Sequence, residues 1–176
     1  MTRKLLLLDC DGTIRRPKTY AHGSGAQVHH EFIESPTDQE LIPGAAEAIA
    51  RCTVTGNWSV VGISNQGGVA AGKKSLSDAC EEQRYTLELC PLLMAILFCP
   101  DWDGEICYRT RLPFGTQRVH HFVGQYRKPG PGMLLEAAYL YKADTLLYVG
   151  DRPEDQQAAM NAGIDFLWAD AWRMVD

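Results

Sequence analysis

The chain predicts a doubly wound α/β fold: a parallel sheet with helices on both faces and no large cap domain. Three observations carry this. Leu5, Leu6, Leu7 and Leu8 form an apolar run closed by Asp9-Cys10-Asp11-Gly12-Thr13, the pattern of a strand buried on both faces and too short to span a membrane. Further apolar or β-branched runs alternate with segments of helical spacing, as in parallel sheets. The runs end in polar or glycine-rich turns, which gathers those turns on the carboxyl edge where open α/β sheets bind ligands.

Taken in order, the first strand delivers Asp9 and Asp11 side by side, with Cys10 turned the other way by the two-residue period. Such a pair either caps backbone amides in an Asp-x-Asp-Gly turn, shares a divalent cation (Mg²⁺, by its hard oxygen donors), or divides nucleophile and acid roles. Residues 14–41 are rich in turn formers around His22, His29 and His30 and read as a flap loop with a short extended piece at 28–33. The histidine spacing matches no zinc pattern.

A helix is expected at 45–52 and a second strand at 58–63, ending in Ser64-Asn65-Gln66-Gly67-Gly68, a turn of the kind that offers backbone N–H groups to an anion. A helix over 76–89 carries Glu81, Glu82 and Arg84 on what reads as its polar side. A third strand is expected at 92–98, followed by an irregular insert at 99–125 with Trp102, Tyr108, Arg109, Arg111, Phe114, Arg118, His120 and His121. Arg127-Lys128-Pro129-Gly130-Pro131-Gly132 then leads into a helix at 133–141. A strand at 145–149 runs into Gly150-Asp151-Arg152-Pro153-Glu154-Asp155, and a helix at 156–162 closed by Gly163 precedes a last strand at 165–168.

At 176 residues the chain reads as one domain, long enough to bury about 70% of its unfolded surface. A net charge of −5 gives no general attraction to nucleic acid or anionic lipid and favours a small substrate. Six cysteines without a framework, and no signal-peptide pattern, suggest a reducing cytoplasm. No apolar run is long enough for a spanning helix.

The carboxyl edge thus collects Asp9 and Asp11, Ser64 and Asn65, Lys128, and Asp151 with Asp155. A hydroxyl, a lysine and two acidic loops on one edge have the makings of a phosphate and Mg²⁺ site. With these motifs in this order the chain resembles the haloacid dehalogenase (HAD) superfamily of phosphohydrolases over nearly its whole length. The resemblance implies that Asp9 attacks phosphorus to form an aspartyl phosphate, and that Asp11 protonates the leaving oxygen and later activates water. It also implies that Asp9, the Asp11 carbonyl and Asp151 hold Mg²⁺, that Asp155 supports Asp151, and that Ser64, Asn65, Lys128 and Arg127 bind the substrate phosphate.

The Ser-Asn-Gln-Gly-Gly and Arg-Lys-Pro-Gly-Pro-Gly-Met segments are similar to those of the capless branch, which includes histidinol-phosphate, heptose bisphosphate and polynucleotide 3′-phosphatases. Its metabolite enzymes hold zinc through Cys-x-His and Cys-x-Cys pairs. Here the matching segments are Cys99-Pro100-Asp101 and Cys107-Tyr108-Arg109, so two of four ligands are replaced. Zinc on Cys99 and Cys107, with His120 or His121, stands against two buried thiols. Relatives carry an arginine where this chain has Ala71, which leaves Lys73 or Arg127 to meet a second phosphate. The expected substrate is a small phosphorylated metabolite such as a sugar phosphate or bisphosphate. A nucleic-acid 3′-phosphate end is the alternative, and a non-catalytic phosphate-binding module is the alternative of another class. Substrate choice is expected to lie in the insert, on Arg109 and Arg111 with the neighbouring aromatics.

Overall fold

The computed structural model describes residues 2–21, 27–29 and 32–174; the loop residues His22 and His30 and the side chain of His29 lie outside that description. In chain order the elements are β1 (Lys4–Asp9), β2 (Arg15–Arg16), β3 (Thr19–Ala21), β4 (Gln27–His29), β5 (Glu40–Leu41), α1 (Ala45–Val54), β6 (Trp58–Asn65), α2 (Gly67–Ala70) and α3 (Leu76–Leu89). They continue as β7 (Ala95–Cys99), β8 (Cys107–Arg111), β9 (Gly115–Val119), α4 (Gly132–Tyr141), β10 (Thr145–Gly150), α5 (Pro153–Ala162), β11 (Asp165–Trp168) and α6 (Ala169–Met174).

Seven strands form the main sheet in the order β11-β10-β1-β6-β7-β8-β9. From β11 to β7 the neighbours are parallel, with Leu6 opposite Leu147 on one side and Val60 on the other. The leucine run sits at the centre of this layer and alternates between two cores. Leu5 and Leu7 pack with Met133, Leu134 and Ala158 from α4 and α5. Leu6, Leu8 and Cys10 pack with Ala48, Ile49, Leu87 and Trp172 from α1, α3 and α6. Helices therefore cover both faces, as parallel strands require.

Three expectations need correction. The insert at 99–125 is not irregular: β7, β8 and β9 pair antiparallel, with Ile96 opposite Thr110 and Arg109 opposite Gln117. Arginines at alternate positions obscure a period-two strand, because their aliphatic stems cover apolar surface while their heads stay polar. The turn between β8 and β9 ends at Gly115, whose φ of +74° suits glycine. The flap likewise contains two short antiparallel pairs, β2 with β5 and β3 with β4. Helix α6 went unforeseen, although it anchors the first loop: Arg173 donates to the carbonyls of Gly12 (3.3 Å) and Thr13 (2.8 Å).

Candidate active site

Asp9, the last residue of β1, is buried, with Lys128 Nζ 2.5 Å from its Oδ1. Lys128 lies in the turn before α4, not at the helix start, and its backbone is fixed by Asn65: Oδ1 accepts from Lys128 N and Nδ2 donates to Lys128 O, both at 3.1 Å. The Asn65 side chain, expected on phosphate, is thus committed to placing the lysine. Lys128 Nζ also meets Asp155 Oδ1 at 2.6 Å and Tyr148 Oη at 3.3 Å. Asp155 is held by Tyr148 (2.8 Å) and by the N–H of Arg152 on Oδ2 (3.1 Å), which also satisfies the start of α5. Burial works against the Lys128 charge, but Asp9, Tyr148 and Asp155 together hold it well above the usual lysine range.

Asp9, Asp151 and Asp155 each offer an oxygen within 4.8 Å of the others. Burial pushes the Asp9 carboxyl well up, and the Asp155 and Asp11 charges push the same way against Lys128. Burial and Asp155 also raise Asp151. Asp9 Oδ2 is buried with no donor to it among the described residues. Three carboxylates against one ammonium leave an excess that one divalent cation would neutralise, and an all-oxygen donor set suits Mg²⁺. Asp9 and Asp151 fit as its holders, with Asp155 turned mainly toward Lys128 and the backbone.

Gly12 makes room for this arrangement. Its φ is +93°, and a Cβ there would lie 2.1 Å from Asp151 Oδ2. Gly12→Ala is therefore expected to displace Asp151 and raise the Mg²⁺ concentration for half-maximal turnover by about tenfold or more, the scale on which disturbed metal-ligand support acts. A titration of activity against Mg²⁺ measures this. An unchanged midpoint would show that Asp151 does not hold the metal.

Asp11 has a separate set of partners. Arg15 Nε donates to its Oδ1 (2.9 Å), and Arg15 Nη2 (3.3 Å) and Ser64 Oγ (2.9 Å) donate to its Oδ2. Burial opposes the Asp11 charge, but Arg15, with hydrogen bonds from Arg15 and Ser64 and the charge of Lys74, holds the carboxyl below its ordinary range. Ser64, fully buried, spends its hydroxyl proton on Asp11.

Asp9, Asp11 and Lys128 border a cavity of about 860 Å³ whose wall also includes Phe32, Ala71, Lys73, Trp102, Arg127 and Arg152. Arg127 stacks on Trp102 with its guanidinium carbon 4.2 Å from the ring centroid and donates to Asp101 O (3.3 Å). Lys73 has no ion-pair partner among the described residues. Arg109 and Arg111 are a correction: neither borders the cavity. Strand β8 runs antiparallel to β7 and so carries Arg111 toward the sheet's amino edge, where both arginine charges act on Tyr141 and Arg111 covers Phe114.

For Cys99 and Cys107 the geometry favours the reading of two buried thiols over that of zinc ligands. Cys99 Sγ lies 3.1 Å from Asp101 Oδ1, and Asp101 Oδ2 accepts the N–H of Glu105 (2.9 Å). His121 Nδ1 is 2.6 Å from buried Glu136. Asp101 thus ties Cys99 to the backbone of this loop, and among the described residues the acidic triad alone brings three such ligands together. Arg15, Gln66, Lys74, Glu82 and Tyr148 escaped sequence reasoning. Arg15 passes for a solvated residue beside Arg16, and Glu82 for part of an exposed helix face, yet both are buried.

Comparison with known proteins agrees with this geometry. A HAD-hydrolase-like family model matches residues 125–170. The D-glycero-beta-D-manno-heptose-1,7-bisphosphate 7-phosphatase of Bordetella bronchiseptica RB50 is 30% identical over 166 residues, covering 91% of this chain and 76% of the relative. That of Escherichia coli K12 is 33% identical over 161 residues, covering 90% and 74%. The B. bronchiseptica enzyme's crystal structure with magnesium and phosphate aligns with a TM-score of 0.61 at 28% identity, over 93% of this chain and 78% of that one. Near-complete alignment with phosphatases, a matching sheet and an acidic triad of hard oxygen ligands have one common reading: the chain belongs to the HAD superfamily of phosphohydrolases.

Proposed function

We propose that the protein is a Mg²⁺-dependent phosphomonoester hydrolase of a small phosphorylated sugar carrying a second anionic group. One observation carries the reading: Asp9 sits at the border of the cavity with one oxygen on Lys128 and the other without a donor among the described residues. A carboxylate so placed is a nucleophile for phosphorus. Asp11, ionised at rest on Arg15 and Ser64, takes up a proton from solvent on its open side as the dianionic substrate enters. Asp9 Oδ2 attacks in line, the P–O bond to the leaving group breaks, and that oxygen takes the proton from Asp11. Asp11 then takes a proton from the water that hydrolyses the aspartyl phosphate and releases it to solvent, restoring both carboxylates. Lys128 neutralises charge on Asp9 and on the equatorial oxygens. Mg²⁺, held by Asp9 and Asp151, supplies further charge neutralisation at the transferred phosphoryl group.

The cavity exceeds what one phosphate needs and lies within the range of small-molecule sites. Ala71 borders it where related phosphatases carry an arginine, and we assign the second anion to Lys73, which has no ion-pair partner among the described residues, and to Arg127, preoriented on Trp102. The heptose bisphosphate phosphatase relatives, the acidic net charge and the absence among the described residues of a helix able to cross a membrane support a small substrate in a reducing, cytoplasmic setting. A panel of sugar monophosphates, sugar bisphosphates, histidinol phosphate and 3′-phosphorylated oligonucleotides tests this with Mg²⁺. The expected result is the highest kcat/KM on a sugar bisphosphate. Preference for the oligonucleotide would overturn the substrate assignment, and inertness toward every phosphomonoester would overturn the activity.

A further inference from the structure

Arg15 heads the fully buried side chains ranked by size. A guanidinium without solvent must have its charge and its donors answered inside the protein. Here they are. Nε and Nη2 take both oxygens of Asp11, Nη2 also meets Glu82 Oε1 at 2.7 Å, and Nη1 donates to Thr86 Oγ1 at 2.5 Å. Glu82 is itself buried, pairs with Lys74, and accepts from Gln66 Nε2 on Oε1 (3.0 Å). Gln66 Nε2 reaches Ser64 Oγ (2.9 Å), and Ser64 donates to Asp11 (2.9 Å). The contacts close a ring: Asp11, Arg15, Glu82, Gln66, Ser64 and back to Asp11.

Two carboxylates and two cations balance within this network, so it is complete without a ligand. The Asp11 side chain is nevertheless 39% exposed, while Arg15 and Glu82 behind it are closed off. The ring therefore fixes both oxygens of a carboxyl that keeps one side open to the cavity. A planar guanidinium fork sets the plane of the carboxylate as well as its position, which a single hydrogen bond does not. Proton transfer to a leaving oxygen needs heavy atoms about 2.6–3.2 Å apart, and small misplacements are costly.

We propose that Arg15 and Glu82 are positioning residues that act through Asp11, holding it against the leaving oxygen of the substrate. Helix α3 thereby takes part in the reaction, since it delivers Glu82 and Thr86 to the back of the acid. The inference rests on the reading of Asp11 as the acid.

The test compares kcat/KM for a simple alkyl phosphate and for p-nitrophenyl phosphate, whose stabilised leaving oxygen needs little protonation. Asp11→Asn is the reference and is expected to depress the alkyl substrate far more than the aryl one. The double variant Arg15→Met with Glu82→Met removes both buried charges together, an exchange that buried ion pairs often tolerate. Its ratio of alkyl to aryl kcat/KM is expected to fall by about tenfold or more, part of the roughly 10²–10⁴-fold that a general acid contributes. A role in folding alone would lower both substrates alike. If the folded double variant keeps the wild-type ratio within about twofold while Asp11→Asn shifts it, the positioning role is overturned and the acid reading stands. If Asp11→Asn leaves the ratio unchanged, both fall. Should the double variant not fold, Glu82→Gln keeps the shape and loosens the Arg15 end of the ring. Its ratio is expected to fall by about threefold or more, and an unchanged ratio overturns the proposal.

Discussion

Asp9→Asn is expected to abolish turnover of every phosphomonoester while leaving the fold intact. An amide does not form the acyl phosphate, and its neutral oxygen is a weaker metal ligand. The shape of the side chain is unchanged, and Lys128 Nζ at 2.5 Å can still donate to the amide oxygen while retaining Asp155 at 2.6 Å. Replacing a buried carboxylate that burial and neighbouring charges already disfavour also relieves repulsion with Asp155 and Asp11. The melting temperature should therefore hold or rise. Steady-state assays with p-nitrophenyl phosphate and with the best panel substrate measure the activity, and thermal melts without Mg²⁺ measure the fold. Since loss of a covalent nucleophile costs far more than about 10²-fold, residual activity above about one hundredth of wild type would count against Asp9 as the nucleophile.

The reach of sequence reasoning followed the distance between partners. Leu5 to Leu8 marked their strand because burial on both faces demands a continuous apolar run, and the turn after it follows at once in sequence. Helix α3 was expected over the residues it occupies because its apolar spacing is local; the structure adds a cap, with Ser75 accepting from Asp78 N at 3.0 Å. The use of that helix was not legible. Glu82 stands among Glu81 and Arg84, which pair on the surface, yet it faces inward to Arg15, 67 positions away in the chain. A charged residue is identified as buried only when its counter-charge is found, and no local pattern names a partner that distant.

The same limit explains Arg109 and Arg111. Their chemistry suits anions, but direction along β8 decides which edge of the sheet they reach, and that depends on the antiparallel turn after β7. Asn65 shows the converse. Its position in the turn was legible, whereas its commitment to both polar groups of the Lys128 backbone arises only when two turns far apart in sequence meet.

The last expectation concerns Lys128→Met, a change that keeps length and removes the one cation, among the described residues, within hydrogen-bond reach of both Asp9 and Asp155. All three side chains are almost wholly buried, so the two carboxylates would be left with Asp151 nearby and no internal counter-charge. Breaking a buried pair from one side typically costs about 3–5 kcal/mol, because the remaining charge is uncompensated. That loss should appear in urea denaturation in the presence of a chelator. It should shrink when Mg²⁺ is supplied, since a cation that binds the folded state alone stabilises it. Lys128→Arg, which restores a positive charge on a longer and wider head, should recover more stability than activity, because the guanidinium cannot place a single point charge between Asp9 and Asp155. Turnover by Lys128→Met should fall by at least about 10²-fold, the scale of losing one preorganised group that stabilises transition-state charge. A Lys128→Met protein within about 1 kcal/mol of wild type in chelator would show that protonation of the carboxyls, rather than the lysine, balances this site.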